Sequence, residues 1–197
     1  MSKAYVNYQR KRELISLVAW ELFSQKGFSV TSMDDVAKAA NVTKQTVYRY
    51  FPSKLELFKA VLESYAQKAP KNYNFGQGDL AEELYGFAMH FMRFHISPEY
   101  LGTMRLLVSE ARENTELGAI FYANGPKKSG AMLSTFLRER ISGIADADHA
   151  ASLFVAMLHH VRTPLLLGLC DSVTEEELDK HARYSVDIFL HGCMSKV

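Results

Sequence analysis

The 197-residue chain has little cysteine, only two residues, and both lie late, at Cys170 and Cys193. That is too few for a disulfide framework, so reduced thiols and a cytoplasmic setting are expected. No uninterrupted apolar run approaches the roughly 20 residues that cross a bilayer, which predicts no membrane partner. The opening stretch MSKAYVNYQRKRELI is basic but leads into no apolar segment, so it does not read as a secretory signal. Neither cysteine stands at a zinc-type spacing from a histidine, and no metal or cofactor is expected. G-x-S-x-G, H-E-x-x-H, the P-loop and the glycine-rich dinucleotide turn are all missing. Scattered Ser, His and Asp residues show no spacing that singles out a triad, so the chain does not read as an enzyme.

An excess of one charge is also missing, since the net formal charge is +1. The two parts of the chain differ, however. Residues 1–68 carry eleven Lys/Arg against six Asp/Glu, whereas the remainder carries 12 against 16. A basic module joined to a neutral or acidic one is the expected organisation.

What is present is helical periodicity. Leu14, Ile15, Val18, Ala19, Leu22 and Phe23 form one apolar stripe that ends at Gly27. Thr31 or Ser32, followed by Asp34 and Asp35, reads as an N-cap with acids in the first turn. Met33, Val36, Ala37 and Ala40 give a short helix, and Thr43 caps the next. Ser53-Lys54-Leu55-Glu56 has the form of a capping box. It opens a helix with Leu55, Phe58, Val61, Leu62 and Tyr65 on its apolar face. The Pro-, Asn- and Gly-containing stretch 69–78 interrupts the pattern and marks a domain joint. Further helical segments follow from Asp79, from Pro98, around Leu117–Tyr122 and from Pro126 to Ile141. Ala150–Leu169, with Pro164 expected to kink or end it, and Thr174–Met194 complete the chain. No strand alternation and no internal repeat is found. The fold class is all-α.

Residues 34–51 read as two short helices meeting at Asn41, a residue type tolerant of the positive φ such a turn needs. On a wheel of about 100° per residue with Val47 at zero, Phe51 and Tyr50 share the inner side, while Gln45 and Arg49 fall about 160° and 200° away. Gln suits adenine and Arg suits guanine in the major groove, whereas Lys44, Thr46 and Tyr48 on the flanks suit phosphates. Lys54 stands at the start of the following helix, where free N–H groups also favour an anion. The bland reading is a solvated helix with an ordinary charged face. The turn residue, the spacing of two short helices and the basic character of this part of the chain favour duplex DNA.

The run TSMDDVAKAANVTKQTVYRYFPSKLELF, residues 31–58, resembles the N-terminal DNA-binding domain of the TetR family of bacterial transcriptional regulators. Ala19, Leu22, Phe23 and Gly27-Phe28 match its first helix; Asn41 and Thr43 replace the commoner glycine and serine. The resemblance implies a homodimer on a palindromic operator. It places DNA contacts at Thr43, Lys44, Gln45, Thr46, Tyr48, Arg49, Tyr50 and Lys54, with Ser32 and Met33 near the backbone. Tyr48 and Lys54 resemble phosphate clamps. The implied domains are a helix-turn-helix domain over 1–68 and a helical ligand-binding and dimerisation domain over 69–197. Residues 105–126 loosely resemble the C-terminal domain of AcrR/AefR-like members, without carrying ligand residues over.

The second part of the chain is rich in aromatic residues and Met, which suits an adaptable apolar pocket as well as a plain core. Phe87, His90, Phe91, Phe94, Met104, Phe121, Phe136, Met157 and His160 are the candidate pocket residues for a small-molecule inducer, with His159 and Arg162 as further polar groups on apolar segments. His159-His160 points to two helix faces and makes a poor metal pair. Leu153, Leu158, Leu165, Leu169, Tyr184, Ile188 and Phe189 are candidates for dimer contacts. The expected function is a repressor released from its operator by a hydrophobic or amphipathic ligand. The alternatives are a DNA-binding architectural protein without an inducer, and a module using the same helices for protein contacts.

Overall fold

A computed structural model describes residues 3–68, 73–110, 112–124 and 126–194. The described residues form eleven α-helices and one 3-10 turn, with no strand. The helices are α1 (Lys3–Lys26), α2 (Met33–Ala39), α3 (Lys44–Tyr50), α4 (Lys54–Lys68), α5 (Leu80–His95), α6 (Pro98–Glu110), α7 (Thr115–Asn124), α8 (Pro126–Arg140), α9 (Ala147–Leu158), α10 (Arg162–Leu167) and α11 (Glu175–Met194). The 3-10 turn His159–Val161 separates α9 from α10.

Local chemistry sets most boundaries. Ser32, rather than Thr31, caps α2: its hydroxyl accepts from the Asp35 N–H, and the Asp35 carboxylate accepts from the Ser32 N–H at 2.9 Å. Thr31 is buried instead, and its hydroxyl donates to the Gly27 carbonyl at 2.8 Å. The Glu56 N–H donates to Ser53 Oγ at 3.1 Å, as the capping sequence predicts. Asp79 caps α5 through the Ala81 and Glu82 N–H groups. Thr174 and Glu177 close a reciprocal pair at the start of α11.

The chain divides into two compact units, one of Met1–Ala69 with Gly102–Gly125, the other of Pro70–Leu101 with Pro126–Val197. The division is therefore discontinuous, unlike the single joint expected within 69–78. Residues 69–72 of that joint lie outside the described residues.

In the first unit Ile15, Ala19 and Phe23 of α1 are wholly buried, while Leu14 of the same predicted stripe is 44% exposed. Phe23, Phe28 and Phe58 meet ring to ring, with centroids 5.3–5.8 Å apart. Such pairs add about 0.5–1.5 kcal/mol beyond the area they bury. Val36, Val47, Phe51 and Leu57 complete the centre, and Leu106, Leu107 and Leu117 join it from α6 and α7. The predicted Tyr65 side chain lies outside the described residues.

The second unit packs Leu84, Phe87 and Met92 of α5 with Leu133 and Leu137 of α8, Phe154 of α9 and Leu178 and Ala182 of α11. Ala147–Leu167 is a helical run of 21 residues, long and apolar enough by length and composition to cross a membrane, contrary to the expectation above. The run is continuous because Pro164 falls in the first turn of α10. There a missing N–H is tolerated, and the tight 3-10 turn takes up the break. Its Phe154, Leu158 and Leu165 are buried in the unit's interior, and it carries Arg162 and three histidines, as a bundle helix does.

Candidate nucleic-acid interface

α2 and α3 are joined by a Schellman turn. The Val42 N–H reaches back to the Ala37 carbonyl at 3.0 Å and the Asn41 N–H to the Lys38 carbonyl at 3.2 Å. Asn41 carries the positive φ, +51°, and is the one described non-glycine residue to do so. The sequence expectation for this residue holds, and the turn ties α3 to α2 at a set angle.

Thr43 begins α3, its hydroxyl accepting from the Thr46 N–H at 3.2 Å. Val47 is wholly buried and Phe51 nearly so, which seats one side of α3 on the core. Lys44, Gln45, Tyr48 and Arg49 are exposed and Thr46 is half-buried. Lys44 Nζ stands 2.9 Å from an Asp34 carboxylate oxygen; this pair holds the ammonium above its ordinary pKa. Both partners are exposed, so the pair leaves the Lys44 ammonium available to an anion.

Two predicted contact residues are placed differently. The half-buried Tyr50 ring lies 4.7 Å from the Tyr8 ring of α1, with the Arg49 guanidinium 5.4 Å from its centroid. Tyr50 thus supports Arg49 more than it faces outward. Lys54 donates to the carbonyls of Phe28, Ser29 and Thr31 at 2.8, 3.1 and 3.0 Å. Its ammonium also lies 4.6 Å from the centroid of the Phe28 ring. All three of its donors are engaged, and burial holds its pKa below the ordinary value against the pull of Glu110. Expected as a phosphate clamp, Lys54 braces the turn between α1 and α2 in this structure.

Two supports were not read from the sequence. Tyr8 and Arg12 of α1 reach the end of α3, Arg12 lying 5.3 Å from the Phe51 ring centroid. The basic run Arg10-Lys11-Arg12 was the available signal. Glu110 accepts from the Ser29 N–H at 3.0 Å, its hydroxyl at 2.5 Å and the Asn114 amide at 3.1 Å. No local pattern announces that contact.

The candidate pocket residues do not form one set. Met104 and Phe121 pack against the core of the first unit. Phe87, Phe91 and Phe136 are buried in the second, where Met157 packs from the side. His90 lies beside Tyr73, with centroids 5.7 Å apart, whereas His160 is exposed against His181 at 5.6 Å. Phe94 meets Tyr100 edge-on at 5.2 Å. Phe136 stacks on Phe75 at 3.8 Å and lines an open cleft with Met132, Thr135 and Arg140. That cleft holds about 170 Å³, below the roughly 300–1,000 Å³ of small-molecule sites. Of the dimer candidates, Leu158, Leu165 and Phe189 are buried within the unit, while Leu153, Leu169, Tyr184 and Ile188 are exposed.

Comparison with known proteins agrees with this geometry. Residues 15–61 match the family of bacterial regulatory proteins named for TetR, and residues 82–192 match the C-terminal domain of AefR-like transcriptional repressors. The HTH-type transcriptional regulator YhgD of Bacillus subtilis is 28% identical over 133 residues, covering 66% of this chain and 67% of that one. The HTH-type regulator AcrR of Shigella flexneri is 46% identical over 55 residues, covering 28% of this chain and 25% of AcrR. The solved structure of the flavonoid-responsive regulator FrrA superposes with a TM-score of 0.83 at 30% identity, covering 96% of this chain and all of that one. With a matched helix-turn-helix domain and an AefR-like C-terminal domain, this chain belongs to the TetR family: it is a DNA-binding transcriptional regulator and not an enzyme.

Proposed function

We propose that two copies of the chain bind a palindromic operator in the cytoplasm, each placing α3 in the major groove. Gln45 and Arg49 read base edges, while Thr43, Lys44, Thr46 and Tyr48 hold phosphates. Residues 1–68 supply this function, and residues 69–197 supply dimerisation and response to a small hydrophobic or amphipathic ligand. The observation that carries the reading is the two-sidedness of α3: Val47 is wholly buried while Gln45 and Arg49 are exposed on the opposite side.

The exposed apolar side chains Leu153, Tyr184 and Ile188 support α9 and α11 as the dimer face. Tyr184 and Ile188 are four apart on α11 and so share one side of it. The aromatic interior of the second unit, together with the name of FrrA, supports an aromatic inducer. A ligand that binds more tightly to a state with differently spaced reading helices lowers operator affinity by the difference. A 100-fold effect needs about 2.7 kcal/mol of such coupling.

Footprinting the protein on the DNA upstream of its own gene tests the reading. Two protected half-sites related by a dyad are expected, with affinity falling steeply as salt rises. Uniform coverage without half-sites would instead indicate an architectural protein.

A further inference from the structure

The second unit contains a polar cluster that its packing leaves incomplete. It is built from the end of α5, the start of α6, the 3-10 turn and the first residue of α10. The His95 ring stacks on Phe91 at 3.7 Å and meets Tyr100 at 4.4 Å and His159 at 5.1 Å. Arg162 Nη1 reaches the Tyr100 hydroxyl at 3.5 Å, and its guanidinium lies 5.9 Å from that ring's centroid.

Two nitrogens in the cluster are buried and make no hydrogen bond: Arg162 Nε and His159 Nε2. His95 is different, its Nδ1 engaging the Phe91 carbonyl at 2.7 Å. Leaving a buried donor of a charged group unpaired costs more than leaving a neutral one so. Such a group calls for a missing acceptor.

Charge indicates what that acceptor is. Burial, then the neighbouring Arg162, holds His159 down to about 4, and burial likewise holds His95 at about 3. The titratable groups facing His95 are His159, Arg162 and His90, with no carboxylate among them. Both imidazoles are therefore neutral near pH 7, and the permanent charge in the cluster is the guanidinium. An anionic oxygen would satisfy Arg162 Nε–H and accept from His159 in its Nε2–H tautomer. Phe91, Phe94, His95 and Tyr100 wall the cluster with aromatic rings, which favours an aromatic over an aliphatic carrier for that oxygen.

We propose that this cluster is an anion-recognition site taking the carboxylate or phenolate of a flat aromatic ligand, with Arg162 as the charged anchor and His159 as its second donor. The proposal rests on the ligand-responsive reading above and adds the chemical class.

The test is calorimetric titration of the full-length dimer with cinnamate, with its neutral amide cinnamamide, and with 4-nitrophenolate. The wild type is expected to bind at least one of the two anions at least tenfold more tightly than cinnamamide. Which of them binds identifies the oxygen as carboxylate or phenolate. Arg162→Gln should weaken that anion at least tenfold and leave cinnamamide unchanged, while Arg162→Lys should recover part of the loss. Equal binding of acid and amide by the wild type overturns the proposal without needing any variant to fold. So does absence of anion binding up to millimolar concentration. In either of those cases, operator release by neutral hydrophobic compounds in a separate screen keeps the sensor reading alive. No release by any compound would sink both.

Discussion

Ser29 and Glu110 stand 81 residues apart in sequence, and the carboxylate of one takes both the N–H and the hydroxyl of the other. Burial pushes the Glu110 carboxyl up. Hydrogen bonds from the Ser29 hydroxyl, the Ser29 and Phe28 backbone and Asn114 outweigh this and hold it below its ordinary value. The last turn of α6 is thereby fastened to the turn that leads into α2. Glu110→Ala should lower the unfolding free energy by about 1–3 kcal/mol, since it removes a buried carboxylate that accepts three hydrogen bonds. Urea denaturation measures this. Because the folded pKa is depressed, Glu110 contributes stability at neutral pH that fades as the solution is acidified through the folded value. Glu110→Gln should flatten that acid limb.

Lys54 and Lys44 should separate by experiment. Lys54→Met removes a brace that serves three carbonyls, so it is expected to cost about 1–3 kcal/mol of stability. The slope of operator affinity against salt should hardly change. Lys44→Ala should leave stability unchanged, because its ion pair is exposed. It should reduce the salt slope by about one counterion. Anisotropy titrations at several salt concentrations discriminate the two, and a slope lost in Lys54→Met instead would return it to the phosphate contacts.

At Arg49 and Gln45 the expected loss is of sequence discrimination. Arg49→Ala should cost about 1–3 kcal/mol on the operator and relax preference at one base pair per half-site. Gln45→Ala should do so at a different pair. Selection from a randomised half-site reads both, and an unchanged preference would remove α3 as the reading helix. Tyr50→Ala should act through Arg49, lowering operator affinity with no new base preference of its own.

His95 gives the second unit an acid-sensitive element. Its folded value, about 3, lies below the roughly 6.5 of a free imidazole. Between those values the unfolded chain takes up a proton that the folded chain refuses. Stability is therefore whole above about pH 6.5 and declines as pH falls towards 3. His95→Phe should show a shallower decline of melting temperature from pH 7 to 4 than the wild type. Parallel curves would show that His95 does not carry it.

The exposed pair on α11 sets a test of assembly. Ile188→Glu, or Tyr184→Glu, should shift the protein from dimer to monomer in sedimentation while leaving its helical circular dichroism intact. Operator affinity should fall with it, because two half-sites would no longer be held together. A variant that stays dimeric would move the interface away from this side of α11.

Much of this architecture was legible in the chain itself. Helix starts at Ser32, Thr43, Ser53 and Asp79 are written in residues whose side chains cap N–H groups two or three positions ahead. Asn41 announces its own positive φ, and the two-sided pattern of α3 follows from a spacing of four between Val47 and Phe51. These are interactions of short range, so local sequence determined the helices, the turn and the outward set of Gln45 and Arg49.

What lay at long range was decided by the tertiary structure. Lys54 reads as a free cation until folding brings three carbonyls from 23–26 residues upstream onto its ammonium. Met104 and Phe121 read as pocket residues until α6 and α7 set them, half-buried, against the core of the first unit. Leu158, Leu165 and Phe189 read as dimer contacts until the second unit buries them. The unpaired nitrogens of His159 and Arg162 arise where the 3-10 turn sets these two half-buried residues beside His95 and Tyr100. Periodicity states which residues share a side of a helix; which neighbour covers that side, and which donor is left without an acceptor, depends on contacts that no single segment encodes.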